Sequence, residues 1–528
     1  MRVNLLGLQL VCVGAVLFCP TSAFAGGNEY PAAGTRALGR GGAFYARADD
    51  PMALAYNPAN LARLSTPQLS LQVNQAFFDA CMQRTVNYSA ANQFFSEFDD
   101  PAADAFPGQT WTTNPAPEVC QESALGLSPN LIFTYKILHN LGIGVGLVAP
   151  AGVGITRWGD DDGTVTANGV RLPSPTRYSL VESNVAIAFP SVGVGYAPLP
   201  WLSFGATFHW GIGIFNFVNY TRASAGETPE GDIRSELDAT DFFVPGFTAS
   251  VNVTPHPNLN IMAGIRWYDS VRGSGETTTG WGQFGIGQPG VTGQPSSALN
   301  EDVFDTELEA PLATQLSFGI RYGHRIRRAP DATEEELSQE IRDPMSDELF
   351  DVEFDLVWEF NSAVDEFRIT LPEGSETDLR FVDTNGIESS MVLPLPTTIR
   401  LPHNWKNQVS LRLGGDWNII PGTLAARAGL SYETNGVNDA FAGLDFIPGE
   451  RLGMHLGATV RLGRFDLSIA YAHIFQRDIV VTADEAELVQ IVAAADNPGV
   501  DTPANDTINE GTTRVNFDVL SLGATYHF

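Results

Sequence analysis

The sequence is poor in basic residues and has no long apolar run after its first 25 residues. Thirty Lys and Arg residues stand against 61 Asp and Glu, for a net charge of −31, so the basic surface that nucleic-acid binding requires is lacking. No later stretch offers the 18 uninterrupted apolar residues that indicate a membrane-spanning helix. Hydrophobic residues nevertheless make up 44% of the chain and aromatic residues 10%, which is enough for extensive burial and excludes a disordered protein.

Sequence motifs of enzymes and metal sites are also scarce. The eight histidines form no His-x-x-x-His pair, and Cys-x-x-Cys, Gly-x-Ser-x-Gly and Walker-type motifs are missing. Two Gly-x-Gly-x-x-Gly matches, Gly280–Gly285 and Gly285–Gly290, lie in a Gly-rich loop rather than between a strand and a helix, which argues against a dinucleotide site. Asp160–Asp162 could contact a calcium ion, but a solvated acidic loop tip is the favoured explanation. We expect no enzyme activity, no cofactor and no metal.

Residues 1–25 have the layout of a secretory signal peptide. Arg2 precedes the apolar run Leu5–Phe18, and Ala23-Phe24-Ala25 forms a cleavage site. A lipoprotein modified at Cys19 is the alternative, although the neighbours of Cys19 fit a lipobox poorly. We predict an exported protein.

Four cysteines occur in the sequence, and two of them lie in the predicted signal peptide. An exported chain that retains only Cys81 and Cys120 most simply joins them in a disulfide. That bond would staple one long loop.

Alternation of apolar and polar residues dominates the chain from Pro67 onward. Arg451–Gly463, Phe350–Phe360 and Leu312–Tyr322 each place apolar residues on one face and polar residues on the other. A soluble sandwich also alternates, but it is usually much shorter per domain. The pattern after a signal peptide therefore favours an all-β protein, in which residues 67–528 form a transmembrane antiparallel β-barrel that is apolar outside and polar inside.

The lengths of the connections support a barrel. Short links are predicted at His139–Asn140, Ala197–Pro200, Pro255–Asn258, Ile420–Gly422 and Gly463–Arg464. Long links are predicted near 80–127, 159–178, 218–241, 270–310, 373–403, 435–450 and 482–512. Short periplasmic turns that alternate with long external loops give about fourteen strands. The stretch His324–Glu348 is an exception, and a capping box from Thr333 to Glu336 predicts a small periplasmic helix within it.

Charged residues on the polar face should point into the barrel. The inward arginines are Arg266, Arg321, Arg412, Arg427 and Arg461, and the inward acids are Asp351, Glu353, Asp355, Glu359, Asp416 and Asp466. Residues of opposite charge can pair across strands and hold a plug in place. Alternatively, one or two of the arginines anchor an anionic head group through a charge-assisted hydrogen bond.

The stretch Gly26–Leu64 lacks this alternation and is rich in Gly and Ala. Asp49 or Asp50 is the predicted N-cap of a short helix that has Pro51 at its first position and ends at Asn57-Pro58. A compact segment before a barrel suggests a plug in the lumen, and an ordered arm outside the fold is the alternative.

Within this stretch, Gly34–Leu61 resembles the N-terminal hatch of the FadL/TodX family of outer-membrane transporters for hydrophobic compounds. The family hatch carries an Asn-Pro-Ala motif, which Asn57, Pro58 and Ala59 match, and weaker matches extend over most of the chain. The resemblance implies a hatch over residues 26–66 inside the barrel. Leu520–Phe528 alternates up to a C-terminal aromatic residue and resembles the signal by which outer-membrane barrels are recognised by their assembly machinery.

The predicted third strand, Leu141–Trp158, is unusual. Gly142, Gly144 and Gly146 leave one face bare, which allows the plug or a ligand to approach closely. Pro150-Ala151-Gly152 then interrupts the strand, and because proline cannot donate to the ladder we predict a bulge or kink. The resemblance implies a kinked third strand with a side opening here, whereas a mild bulge without a transport role is the alternative.

The function implied by the resemblance is passive uptake of long-chain fatty acids or other hydrophobic compounds across the outer membrane, with lateral release into the bilayer. Candidate residues of an external groove are Phe215, Phe217, Val218, Trp281, Phe284 and Ile286. An adhesin or a polar-solute porin is the runner-up, and a barrel enzyme is third. The sequence leaves the transported compound and the oligomeric state open.

Overall fold

The computed structural model describes residues 32–85, 116–123, 126–149, 154–167, 169–222, 232–282, 302–326, 343–382, 388–447, 449–491 and 507–528. The chain folds into a closed antiparallel barrel of fourteen strands. The strands are β1 Gln68–Arg84; β2 Val119–Ser123 and Gly126–Leu138; β3 Leu141–Val148 and Gly154–Trp158; β4 Glu182–Leu199; β5 Leu202–Arg222; β6 Asp232–His256; β7 Leu259–Tyr268 and Val271–Trp281; β8 Asp302–Ala310 and Gln315–Arg325; β9 Glu348–Glu359 and Glu366–Thr370; β10 Thr398–Pro402 and Gln408–Ile420; β11 Leu424–Glu433; β12 Arg451–Leu462; β13 Phe465–Gln476 and Ile479–Val481; and β14 Gly511–His527.

The barrel closes because its last strand pairs with its first. β14 and β1 are antiparallel along their whole length, from Gln68 opposite His527 to Arg84 opposite Gly511. Every other strand pairs with the next one in the chain. The predicted fourteen-strand barrel is therefore confirmed, and closure leaves no free sheet edge.

The two faces of the barrel wall have opposite character. In β9 the side chains of Val352 and Phe354 are exposed on the outside, while Asp351, Glu353 and Asp355 are buried inside. Successive side chains of a strand point to opposite faces, so the predicted alternation places the apolar residues outward. An apolar band of this extent would be costly in water and suits a lipid environment.

Several strands extend further than predicted at the end that carries the long connections, which we call the loop end. Val271–Trp281 and Asp302–Ala310 continue β7 and β8 through a region predicted as a loop. The outer face of these extensions carries charged residues, such as Arg368 and Glu309, whose side chains pair at 3.1 Å. Without an apolar outer face, these segments gave no alternating hydrophobic signal.

Two hairpins in the same region form small sheets of their own and are not part of the barrel sheet. One pairs Thr164–Ala167 with Val170–Pro173, and the other pairs Glu376–Val382 with Glu388–Pro394. Both fall within predicted long links.

The opposite end of the barrel, which we call the turn end, has the short connections that were predicted. In the insertion between β8 and β9, the described part contains the short helix Pro344–Asp347. The capping box predicted from Thr333 to Glu336 lies outside the described residues. Within the described ranges, no helix is long and apolar enough to cross a membrane.

Residues 26–66, the N-terminal segment, precede β1. The described part contains the helices α1 Thr35–Leu38 and α2 Ala53–Tyr56 and a 3₁₀ helix, Pro58–Arg63. The predicted start of the helix at Pro51 was wrong, since α2 begins at Ala53, whereas the predicted end at Asn57-Pro58 is confirmed, since α2 ends at Tyr56. Asp50 accepts a hydrogen bond from the Met52 amide at 2.8 Å in a turn that precedes α2, and Pro58 begins the 3₁₀ helix because its fixed φ suits the first helical position.

A disulfide joins Cys81 of β1 to Cys120 of β2. The two residues are direct partners in the ladder between these strands. The bond therefore ties the two strands together at the loop end.

Candidate functional site

The N-terminal segment lies against the inner wall of the barrel, and glycines of the wall make room for it. A Cβ atom on Gly142 of β3 would lie 2.0 Å from the carbonyl oxygen of Leu61, and one on Gly205 of β5 would lie 2.1 Å from the carbonyl carbon of Pro58. On the opposite side, a Cβ on Gly414 of β10 would lie 2.0 Å from the Arg40 carbonyl oxygen. A side chain at any of these positions would force the two backbones apart.

The bare face predicted on β3 has two uses. Gly142 and Gly144 face Leu61 and Leu54 of the N-terminal segment. Gly146 instead lies closest to Leu131 and Ile132 of β2, so its missing side chain serves packing within the wall.

A buried ionic cluster joins the N-terminal segment to β9 and β10. The Arg40 guanidinium donates to Asp351 at 2.9 Å, to Asp416 at 2.7 Å and to Glu353 at 3.1 Å. Arg47 donates to Asp351 at 2.9 Å. All of these side chains are almost fully buried, and charges taken out of water require such partners.

Carboxylates of β9 also bind the backbone of the N-terminal segment. Asp355 accepts hydrogen bonds from the amides of Phe44 and Tyr45 at 2.8 and 3.0 Å, and Glu353 accepts one from Ala46 at 2.7 Å. Buried amides outside regular structure need such acceptors. The acidic stripe of β9 therefore serves as a receptor for residues 40–47.

At the edge of this cluster, partial burial would raise the pKa of Asp49. The guanidinium groups of Arg36 and Arg47, at 2.8 and 3.1 Å, hold the pKa of Asp49 well below its usual range instead. The carboxylate is therefore charged at neutral pH.

The inward arginines of the wall have partners inside the barrel. Arg321 pairs with Asp351, Arg412 with Glu433, Arg427 with Asp416 and Arg461 with Asp466, at distances of 2.6, 3.8, 3.4 and 2.6 Å. Arg266 lies with its guanidinium carbon 5.7 Å from the ring centre of Tyr268. These contacts favour pairing within the wall, and a head-group role for any of the arginines stays a prediction.

The Asn57-Pro58-Ala59 motif is attached to β6 through one serine. Ser250 donates to Asn57 Oδ1 at 2.8 Å and accepts a hydrogen bond from the Ala59 amide at 3.0 Å. Asn57 Nδ2 in turn donates to the Tyr45 carbonyl at 2.8 Å. The motif therefore links the first and last parts of the N-terminal segment to the barrel wall.

The wall is irregular where β3 passes from Val148 to Gly154. The chain takes six steps between these residues, whereas their partners on β4, Phe189 and Val185, are four steps apart. At Ala149 side chains replace the ladder, because Asn130 Oδ1 accepts from its amide at 3.0 Å and Ser128 donates to its carbonyl at 2.5 Å. Pro150, Ala151 and Gly152 lie outside the described residues.

An apolar pocket of about 110 Å³ opens inside the loop end. Its walls include Phe217, Leu237, Leu308, Phe367 and Leu401, and most of its lining is aliphatic or aromatic. Phe215 and Phe217, predicted to lead into a loop, lie within β5, and Phe215 is buried.

The other predicted groove residues are placed less uniformly. Val218 and Trp281 are buried, the latter at the end of β7. Phe284 and Ile286 lie outside the described residues.

A second cavity, of about 500 Å³, lies at the turn end and is charged. The N-terminal segment bounds it through Arg47 and Arg63, and the wall bounds it through Arg321, Arg461 and Asp466. An apolar solute would have to displace water from these ionic groups to enter this cavity, so the apolar route does not continue favourably toward the turn end.

Comparison with known proteins identifies solved structures of the same fold. No family model matches the sequence, and no curated protein does. The chain is similar in structure to a FadL homologue of Pseudomonas aeruginosa, with a TM-score of 0.64 and 15% identity over 95% of this chain and 99% of that one. The Pseudomonas putida toluene transporter TodX follows at 0.56 and 12% identity, over 95% and 99% of the two chains. The Ralstonia pickettii toluene transporter TbuX gives 0.54 and 12%, over 94% and 98%. The fold implied by the hatch resemblance is therefore confirmed.

Proposed function

We propose that the protein is an outer-membrane channel for passive uptake of hydrophobic compounds. The observation that carries this proposal is the apolar pocket at the loop end of a closed barrel whose turn end is charged. A polar-solute porin would instead need a continuous polar path. The similar folds of channels described as transporters of toluene and monoaromatic hydrocarbons support the same conclusion.

The proposed route begins at the loop-end pocket and leaves through the wall. The N-terminal segment acts as the hatch, and the interruption of β3 at Pro150-Ala151-Gly152 is the lateral exit into the bilayer. The charged turn-end cavity supports a lateral exit, because release at the turn end would expose an apolar compound to ionic groups. The proposed ligands are long-chain fatty acids or aromatic hydrocarbons. Export by the signal peptide and insertion by the assembly machinery through the strand that ends at Phe528 belong to the same proposal.

Uptake by whole cells tests the function. We expect cells that lack their own channel to accumulate labelled fatty acid or toluene faster when they express this protein, and mass spectrometry of the purified barrel to detect a bound apolar compound. Swelling of liposomes that contain the protein in sugar solutions, together with no uptake of an apolar compound by the cells, would instead identify a polar-solute porin.

The Asn57-Pro58-Ala59 motif gives a sharper prediction. Asn57→Ala combined with Pro58→Ala, or Ser250→Ala alone, should leave the barrel folded but lower uptake several-fold, because each removes hydrogen bonds worth about 1 kcal/mol apiece that hold the hatch to β6. Uptake is measured at matched surface expression.

Ser468→Ala is the matched control. Ser468 shares a hydrogen bond of 2.8 Å with Thr459 inside the wall, so its loss should not change uptake. Normal uptake by the Ser250 variant would remove the role assigned to the motif.

A further inference from the structure

The apolar lining of the loop-end pocket continues along the inner wall to the interruption of β3. Phe217 of β5 lines the pocket, and Phe215, two residues nearer the turn end, pairs with Val185 of β4. Val185 is also the ladder partner of Gly154, the first described residue of β3 after the interruption. These phenylalanine and valine side chains pack in one apolar cluster. An apolar compound that moves along them takes no polar group out of its hydrogen bonds.

This apolar stretch ends at two stacked aromatic rings. Phe189 of β4 is the ladder partner of Val148, the last β3 residue before the interruption. The centre of its ring lies 4.4 Å from that of Tyr268 of β7, with 28° between the ring planes. Both side chains are buried. The stack therefore lies level with the edge of the interruption that is nearer the turn end.

Glycines of the two intervening strands make room for the rings. β5 and β6 lie between β4 and β7 in the barrel wall. A Cβ atom on Gly211 of β5 would lie 2.8 Å from the Phe189 ring, and one on Gly246 of β6 would collide with the Tyr268 ring. The two rings therefore meet across the bare inner face of β5 and β6 and cover it.

Polar groups begin directly on the turn-end side of the stack. The centre of the His209 ring lies 6.0 and 5.6 Å from the centres of the two stacked rings. Its nitrogen atoms are hydrogen-bonded to Ser191 at 2.7 Å and to Thr248 at 2.9 Å. The guanidinium carbon of Arg266 lies 5.7 Å from the Tyr268 ring centre. An apolar compound that continued toward the turn end would have to separate buried polar groups from their partners, which is costly.

We propose that the Phe189–Tyr268 stack is the floor of the apolar route and holds a compound level with the interruption of β3, so that it leaves sideways. Phe189 and Phe215 are 2% and 3% exposed, so a compound reaches the floor by displacing apolar side chains. The inference rests on the proposed function and names the residues that turn the compound toward the wall. Phe189 and Tyr268 are positioning residues in this scheme.

Replacing one ring tests the floor in the full-length protein. Phe189→Ala would leave a vacant apolar space on the turn-end side of the interruption, and such a cavity can bind an aromatic ring. A compound held there is no longer level with the exit. We expect uptake of labelled toluene and labelled fatty acid by cells to fall several-fold at matched surface expression. Toluene should bind the purified variant at least as tightly as the native protein.

Two further variants separate the floor from general packing. Phe517→Ala on β14 is the matched control, because Phe517 is also buried and packs against another ring, that of Phe78, at 5.1 Å between centres. Its uptake should stay near the native rate. Phe189→Leu refills most of the space with an apolar side chain and should restore uptake. An equal loss in both alanine variants would overturn the inference, because loss of packing alone would then explain it.

The position of a bound compound gives a second readout. In crystals soaked with bromobenzene, the anomalous signal of bromine should lie on the loop-end side of the stack in the native protein and in the vacated space in Phe189→Ala. Bromine between the stack and the turn end of the native protein, or unchanged uptake by Phe189→Ala, would overturn this inference alone. Absence of uptake of both labelled compounds by the native protein would overturn the proposed function as well.

Discussion

Deletion of residues 26–64 should convert a closed barrel into a conducting pore. The described part of this stretch lies against β3, β5, β10 and β11, where a Cβ on wall glycines would lie 2.0 to 2.1 Å from its backbone. After the deletion, polar side chains would still line the inside of the barrel, so water and ions could pass through it. Single-channel recordings in planar bilayers should show steps of large conductance for the deletion variant and none for the intact protein.

A point variant tests the same idea without removing the segment. Arg40→Met would leave the buried carboxylates of Asp351, Glu353 and Asp416 without one of their cations, a change that typically costs about 3–5 kcal/mol. We expect it to loosen the hatch and produce intermittent conductance. Arg477→Met is the matched control, because Arg477 is 54% exposed and pairs with Asp439 at the surface, where an ion pair contributes little. Unchanged conductance of the deletion variant would show that the segment does not occlude the lumen.

The barrel could be predicted from sequence because its signal is local and repeated. In β9, alternation alone identified Asp351, Glu353 and Asp355 as inward, and the structure buries all three. Where the outer face is charged, as along Val271–Trp281, the same rule detected no strand. Alternation of apolar and polar residues depends on what surrounds the two faces of a strand and not on the hydrogen bonds of its backbone.

The contacts of the candidate site could not be predicted in this way. Arg40 and Asp351 are 311 positions apart. The periodicity of a strand does not indicate which charged side chain of the wall pairs with which charged side chain of the N-terminal segment. The sequence does not distinguish Ser250 from the other inward hydroxyl groups, whereas the structure places it beside Asn57.

Regularising the third strand should abolish transport while leaving ligand binding intact. Pro150→Val with Gly152→Thr supplies an amide donor and a strand-forming side chain at the proposed exit. The native chain has two more residues than β4 between Val148 and Gly154, and Ala149 already bonds to the side chains of Asn130 and Ser128. A backbone group left unpaired in lipid costs several kcal/mol, so an irregular wall at membrane depth must face protein, water or a passing ligand.

Pro190→Val on β4 is the matched control for this variant. Pro190 lies directly opposite Leu147 of β3, so it is another wall proline at nearly the same height but outside the interruption. If the interruption is the exit, uptake of labelled compound should fall to background in the β3 variant and stay normal in the Pro190 variant, with equal affinity for the apolar ligand in all three proteins. Full uptake by a β3 variant whose structure shows a regular ladder through 148–154 would exclude lateral release there, and the compound would then have to pass the hatch and cross the charged turn-end cavity.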